Sequence, residues 1–138
     1  LGVSTSVSYT DSAVTSEVET VSGLDPQTSK YPFLSPTVWS ATMFYDYDDV
    51  FSTRVNARYR EEYVGNQIAI GDAQRAYFAE ELVVDYQASY QYSEEIQVVF
   101  SVNNVTDEPN RSYFGTQAAT GTLQYFGRQY YLGVNAKF

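Results

Sequence analysis

The chain of 138 residues contains no cysteine and no histidine. Disulfide bonds and thiolate metal ligands are therefore excluded, and the commonest general base and metal ligand is missing. No apolar stretch approaches the roughly 18 residues of a transmembrane helix. Basic residues are scarce, because 8 Lys and Arg stand against 17 Asp and Glu, for a net charge of -9. These absences disfavour an enzyme and argue against a nucleic-acid-binding protein, which needs a basic surface.

Aromatic residues are abundant instead, with 14 Tyr, 8 Phe and 1 Trp. They recur with aliphatic residues at every second position, which is the period of a half-buried strand. This alternation predicts an all-β protein with six strands, at residues 1–10, 37–47, 51–62, 78–92, 96–103 and 126–138. The mean hydropathy of -0.34 does not identify a soluble protein. Strands of a membrane barrel alternate lipid-facing and lumen-facing residues, so they also average out as polar.

The connections between these predicted strands alternate in length. Residues 11–36, 64–77 and 106–123 form long polar loops, whereas short turns lie at residues 46–49 and near Ser93. All long loops then fall at one end of an antiparallel sheet, which is typical of outer-membrane barrels. We therefore expect a transmembrane β-barrel whose apolar face meets lipid and whose Tyr-rich strand ends form aromatic girdles. The alternative is a soluble β-sandwich in which this face packs on a second sheet.

Two segments resemble one known family. Residues 100–138, FSVNNVTDEPNRSYFGTQAATGTLQYFGRQYYLGVNAKF, resemble the C-terminal end of TonB-dependent outer-membrane receptors. The shared features are Asn-x-Thr-Asp-Glu-Pro after the penultimate strand and a last strand that ends in an aromatic residue. Residues 44–65, FYDYDDVFSTRVNARYREEYVG, resemble the preceding hairpin. The resemblance implies that residues 1–138 are the last six or so strands of a barrel of about 22 strands, without the plug domain and the earlier strands.

The same resemblance implies a function and a location. Such receptors take up a scarce nutrient, an oligosaccharide or a metal chelate, across the outer membrane of a Gram-negative bacterium. The implied partners are outer-membrane lipid and lipopolysaccharide, the plug and the rest of the barrel, and TonB through the N-terminal part that this chain lacks. The C-terminus would be periplasmic, and any targeting segment is expected either to lie upstream of Leu1 or to have been removed. Phe138, with Tyr130, Leu132, Val134 and Ala136 in phase behind it, resembles the signal read by the barrel-insertion machinery.

Two groups of residues are candidates for binding. Arg54, Arg58 and Arg60 share the face predicted to line the lumen, where they would contact the plug or an anionic ligand. The preferred alternative is pairing with Glu62, Glu81 or Asp85 on neighbouring strands. In the loops, the candidates combine aromatic rings with amides and a guanidinium, which suits sugars. They are Asn110, Arg111, Tyr113, Phe114, Gln117 and Gln124. The plainer interpretation is that they only order the loop.

Other functions fit the sequence less well. A soluble β-sandwich that binds carbohydrate and a passive porin remain the alternatives to an active transporter. An enzyme is not expected, because the Glu doublets place adjacent carboxylates on opposite faces of a strand. The acidic residues 46–49 lack the ligand spacing and the glycine of a calcium loop, so a solvated turn is expected there. We predict no catalytic residue, no metal ligand and no cofactor.

Overall fold

A computed structural model describes residues 1–16, 27–65 and 75–137. The regular secondary structure of these residues consists of twelve β-strands. Their bounds are β1 Gly2–Tyr9, β2 Val14–Ser16, β3 Gln27–Ser29, β4 Thr37–Tyr47, β5 Phe51–Arg60, β6 Tyr63–Val64, β7 Ala76–Phe78, β8 Glu81–Gln91, β9 Ile96–Asn103, β10 Asn110–Phe114, β11 Thr116–Gln124 and β12 Gln129–Ala136. No helix that is long and apolar enough to cross a bilayer occurs among these described residues. The prediction of an all-β chain is confirmed.

Six strands form the main sheet, in the order β1-β4-β5-β8-β9-β12. Every neighbouring pair is antiparallel, so the sheet follows the chain as a meander. These six strands correspond to the six that the alternation predicts, except at some ends. Phe78, predicted to begin the fourth strand, belongs to β7, and β5 ends at Arg60 rather than at Glu62. The sheet is open, since β1 and β12 each pair on one side only within the described part of the chain. Two edges therefore carry backbone groups that no described strand satisfies.

The register places most of the apolar residues of the six strands on one face. They include Val3, Val7, Trp39, Ala41, Met43, Val55, Ala57, Val84, Tyr86, Phe100, Val102, Leu132 and Val134. The rings of Trp39 and Tyr59 stack with centroids 5.8 Å apart. The described residues leave most of this face uncovered, since Phe100 in its middle is 39% exposed and Leu132 on the edge strand is 75% exposed, whereas Val102 is 7% exposed. The apolar face is thus assembled in register and left largely open.

The opposite face, which we call the polar face, is mostly polar, although Val38, Phe44, Val83 and Val99 also lie on it. Hydrogen bonds join its strands. Hydroxyl groups bond across β1 and β4 between Ser6 and Ser40 at 2.8 Å, and across β5 and β8 between Ser52 and Ser89 at 2.7 Å. Each bond joins residues that the register places opposite one another. These hydroxyl groups therefore find hydrogen-bond partners within the sheet.

The short turns lie together at one end of the main sheet, which we call the short-turn end. Between β4 and β5, Asp48 and Asp49 have φ values of 44° and 53°. The Val50 N–H donates to the Tyr47 carbonyl at 2.9 Å. Two successive residues with positive φ are typical of the type I′ turn, which matches the twist of a hairpin. Asp48 and Asp49 therefore lie in a hairpin turn, whereas Asp46, which was predicted to share it, belongs to β4.

The other end, the long-connection end, is more ordered than the sequence predicts. A second sheet with the order β11-β10-β7-β6 lies there, and β2 pairs with β3. The expectation of long loops at residues 11–36, 64–77 and 106–123 is therefore wrong for the parts that form these strands. The hairpin of β10 and β11 turns at Gly115, whose φ of 65° favours glycine. Backbone bonds join it to the second connection, from Ala79 N to Arg111 O at 3.0 Å and from Gly115 N to Arg75 O at 2.9 Å.

Candidate ligand-binding site

The Asn-Val-Thr-Asp-Glu-Pro segment forms a turn that closes the base of the third long connection. Asn104 has a φ of 55°, a conformation that asparagine tolerates better than most residues. Its side chain accepts from the Glu108 N–H at 2.9 Å and donates to the Glu108 carbonyl at 3.0 Å. The Asn104 N–H donates to Asp85 at 3.0 Å, and the Thr106 hydroxyl donates to the Leu82 carbonyl at 3.0 Å. This turn therefore attaches the connection to β8.

Two of the three predicted lumen arginines are paired within the sheet. Arg58 contacts Asp85 at 3.0 Å, and Arg60 contacts Glu81 at 2.7 Å. The Arg60 guanidinium also lies 4.7 Å from the centre of the Tyr63 ring, which is a cation–π geometry. The expected pairing with acidic residues of the neighbouring strand is confirmed for these two. Glu62, the third expected partner, makes neither ion pair.

Arg54 differs from the other two arginines. It is exposed and has no ion-pair partner among residues 1–16, 27–65 and 75–137. The register places it between Phe44 on β4 and Gln87 on β8. A small cleft of about 140 Å³ surrounds it there and also includes Asp46. The polar face thus carries one cation that this part of the chain leaves uncompensated.

A larger cleft lies at the long-connection end, where the base of the second connection meets the hairpin of β10 and β11. We call it the rim cleft, and its volume is about 630 Å³. The residues that define it are Glu61, Glu62, Glu80, Arg111, Tyr113 and Gln117. Three of the six residues predicted to bind ligand therefore meet in one cleft. Phe114 and Gln124 lie on the same hairpin but do not line it.

Tyr113 is the best anchored residue of the rim cleft. It is 9% exposed, its ring stacks on Tyr77 with centroids 5.2 Å apart, and its hydroxyl donates to the Glu62 carboxylate. Burial, followed by this hydrogen bond, raises the pKa of Tyr113 well above its ordinary value of 10.0. Tyr113 therefore remains a neutral donor at physiological pH and connects the third long connection to the second.

The charge of the rim cleft is negative. Glu61, Glu62 and Glu80 line it against the single guanidinium of Arg111. These carboxylates do not converge, since no three acidic side chains in the described residues are grouped closely enough to hold a metal ion. A cleft of this volume falls within the roughly 300 to 1,000 Å³ range of ligand pockets. Its chemistry suits a ligand that donates hydrogen bonds.

A second cleft lies on the polar face of the main sheet at the same end. We call it the polar-face cleft, and its volume is about 320 Å³. The residues that line it include Arg58, Asp85, Asn103, Asn110, Phe126 and Gln129. Asn110 is thus separated from the other predicted loop candidates, because it faces this cleft. Asn103 and Gln129 were not among the predicted site residues. Their positions at the same end of two neighbouring predicted strands can nevertheless be recognised from the sequence.

The C-terminal strand has the predicted phase but a later start. Tyr130, Leu132, Val134 and Ala136 pair with Val102, Phe100, Val98 and Ile96 and share the apolar face. Phe126, which was predicted to share that face, precedes β12 and lines the polar-face cleft. Gly127, with a φ of 74°, breaks the phase between them. Phe138 lies outside the described residues.

Comparison of the chain with protein-family models, with curated proteins and with solved structures finds no match. The resemblance to TonB-dependent receptors therefore stays a prediction. Function must be inferred from the faces, ends and clefts of the chain itself.

Proposed function

We propose that this chain is part of an outer-membrane TonB-dependent transporter that takes up a scarce nutrient, an oligosaccharide or a metal chelate. In this proposal the main sheet is a section of the barrel wall and the long connections are extracellular. The observation that carries the proposal is the apolar face, which is continuous over six strands in register and largely uncovered in the described chain. Water is a poor solvent for a face of this kind, whereas hydrocarbon is a good one.

The backbone geometry supports a membrane location. In hydrocarbon all backbone polar groups need partners within the protein, and sheets achieve this only in closed barrels. The central strands β4, β5 and β8 have 11, 10 and 11 residues. A bilayer-spanning strand needs about 9 to 11 residues when it is tilted. The open edges of β1 and β12 would then pair with neighbouring strands of a larger barrel.

Aromatic residues support the same location. At the short-turn end, Tyr45, Tyr47, Tyr90 and Tyr92 are exposed, and at least the first three lie on the apolar face. Tyrosine is favoured at the edge of a bilayer because its ring can be buried while its hydroxyl stays wet. The short-turn end would therefore face the periplasm, together with the C-terminus.

Ligand capture would take place at the opposite end. The rim cleft and the polar-face cleft both lie at the long-connection end, where ligands arrive from outside the cell in this orientation. This part of the transporter would supply wall and loops. The plug and the TonB-contacting segment would belong to the rest of the protein, and the insertion machinery would recognise β12.

Cysteine labelling tests the topology, since the chain has no native cysteine. In the full-length protein in its own cells, a large membrane-impermeant maleimide should label Ala119→Cys on intact cells. It should label Glu94→Cys only after the outer membrane is opened. Phe100→Cys, on the apolar face, should react only in denaturant. Rapid labelling of Phe100→Cys in intact membranes, or recovery of the protein as a soluble monomer, contradicts the proposal.

The upstream reading frame separates an active transporter from a passive porin. An active transporter requires a plug domain and a TonB-contacting segment before residue 1 of this chain. Sequencing the complete gene should therefore reveal both, together with many further alternating strands. A reading frame with strands but no plug supports the passive porin instead.

A further inference from the structure

We infer that the polar-face cleft is a binding site for a neutral, polyhydroxylated ligand such as a saccharide unit. The inference rests on the proposed function, because the polar face is reached by ligand if it lines a water-filled interior. It goes beyond the predicted loop candidates, since it concerns a cleft on the sheet itself. Three observations carry it: uncommitted amides, neutralised charges and an exposed aromatic ring at the border of the cleft.

Two amide pairs on the hairpin of β9 and β12 show what is unusual in this cleft. Asn103 pairs with Gln129 at the long-connection end, and Gln97 pairs with Asn135 at the short-turn end. At the short-turn end, the Asn135 amide donates to Gln97 at 3.2 Å. In the cleft, the Asn103 side chain makes no hydrogen bond within the described residues, and Gln129 only accepts one from Tyr131 at 2.9 Å. The amides of the cleft thus keep donors and acceptors available.

A third amide extends this set. Asn110, at the start of β10, lines the cleft, and its side chain makes no hydrogen bond to another described residue. Each amide offers both a donor and an acceptor. A sugar hydroxyl also donates and accepts, so amides from three strands match it better than they match an ion. The cleft can therefore bind vicinal hydroxyls from more than one side.

The charged groups of the cleft are already compensated. Arg58 and Asp85 contact each other at 3.0 Å, and Glu81 is paired with Arg60 at 2.7 Å. Asp85 also accepts a hydrogen bond from the Asn104 N–H at 3.0 Å. Only Glu108 lines the cleft without an ion-pair partner in the described chain. This near balance favours a neutral ligand over a charged chelate, in contrast to the acidic rim cleft.

Phe126 supplies an apolar surface at the edge of the cleft. It is 66% exposed and is held out of β12 by the positive φ of Gly127. Ligand pockets commonly combine aromatic walls with a few placed polar groups. The ring can pack against the C–H face of a pyranose while the amides bond its hydroxyls. The volume of about 320 Å³ suits one small unit of a longer chain.

The test is binding of neutral oligosaccharides to the full-length protein in detergent. The probes are a printed array of neutral plant, fungal and bacterial oligosaccharides, their uronate counterparts and ferric citrate, with calorimetry on the strongest binder. Binding of a neutral oligosaccharide supports the inference, and preference for a uronate or ferric citrate overturns it. Phe126→Ala and Asn103→Ala should each weaken binding about tenfold.

The matched control is the second amide pair. Gln97→Ala and Asn135→Ala remove the same chemistry from the same two strands at the other end, so they should change the Kd less than about twofold. Equal losses in both pairs, no loss in either, or no binding to any neutral oligosaccharide overturns the inference. Its failure is distinguishable from failure of the proposed function. If the protein shows the expected cysteine-labelling pattern but binds none of the neutral probes, only the inference about the polar-face cleft is contradicted. If the protein is soluble but binds a neutral oligosaccharide through Phe126 and Asn103, only the proposed transporter function is contradicted.

Discussion

The two faces of the main sheet are made from alternate residues of the same six strands, yet their side chains are satisfied differently. On the polar face, hydroxyl pairs and the ion pairs of Arg58 and Arg60 join neighbouring strands. On the apolar face, the rings of Trp39 and Tyr59 stack, the Tyr59 hydroxyl donates to Glu80 just before β8, and the described residues leave most of the face uncovered. The paired groups of the polar face therefore find partners inside the chain, whereas most of the apolar face depends on its surroundings. The alternation of side chains along each strand, with a period of two residues, produces both faces.

The largest expected effect comes from placing a charge on the apolar face. Phe100→Arg at the middle of β9 should destabilise the full-length protein by about 2 to 4 kcal/mol in a bilayer, the cost of a cation near its midplane. Ser101→Arg, one residue along on the polar face, should cost far less. Unfolding in lipid vesicles, followed by the heat-dependent shift in gel mobility, measures both. Equal costs would contradict the lipid exposure of this face.

A smaller loss is expected on the polar face from Asp85→Ala. Asp85 accepts from both Arg58 and the Asn104 N–H, so its removal leaves two donors without their acceptor. We expect a cost of about 1 to 3 kcal/mol. Arg58→Ala should cost about 0 to 1 kcal/mol, because the Arg58 side chain is 60% exposed. Thermal unfolding in detergent tests this order, and a larger loss for Arg58→Ala would show that the ion pair dominates.

Tyr113 extends the comparison to the second sheet, where a buried hydroxyl also finds its partner within the chain. Tyr113→Phe removes the hydrogen bond to Glu62 and should cost about 1 kcal/mol at neutral pH. The folded chain holds the phenolic proton more tightly than the unfolded chain, because the pKa is raised from 10.0. The contribution of this proton is therefore complete below pH 10 and is lost as the pH rises above that value.

The measurement is the stability of each variant from neutral pH to above pH 10. The native protein should lose stability more steeply than Tyr113→Phe above this value. Tyr92→Phe, which removes the hydroxyl of an exposed ring, is the control and should follow the native slope. Identical slopes for the native protein and Tyr113→Phe would show that this hydroxyl does not titrate as a buried group.

The smallest effect is expected from Arg54→Gln. Arg54 has no ion-pair partner within the described residues, so its loss should change the stability of the isolated barrel by less than about 0.5 kcal/mol. Arg60→Gln should cost more, since it breaks the contact with Glu81 and the cation–π contact with Tyr63. Chemical unfolding in detergent compares them. A large loss for Arg54→Gln would reveal a partner elsewhere in the complete protein.

Much of the main sheet can be predicted from sequence. The period of two fixes which side chains share a face, and short turns fix which strands are neighbours. The pairing of Arg58 and Arg60 with acids of β8 follows from that neighbourhood. The hairpin of β10 and β11 cannot be predicted in the same way. Residues 116–124 are mostly small or polar and do not alternate, and their strand is fixed by backbone bonds to β10, which in turn pairs with β7.

The candidate sites show the same division. Arg111, Tyr113 and Gln117 are recognisable from their chemistry, but their meeting with Glu62 and Glu80 depends on the second sheet. Phe126 has the phase of the apolar face, since it lies four residues before Tyr130. A single positive φ at Gly127 places it at the polar-face cleft instead. The alternation of residues along the sequence does not reveal a positive φ at a glycine.

By itself, the sequence determined the six strands, their two faces and the ends at which the short and long connections lie. These features are local, because the alternation of side chains and the chemistry of tight turns act over a few residues. Only the tertiary structure decided that the long connections build a second sheet, that Asn110 and Arg111 face different clefts, and that one amide pair is satisfied while its counterpart is open. These features depend on groups far apart in the chain, and only folding brings them within hydrogen-bonding distance.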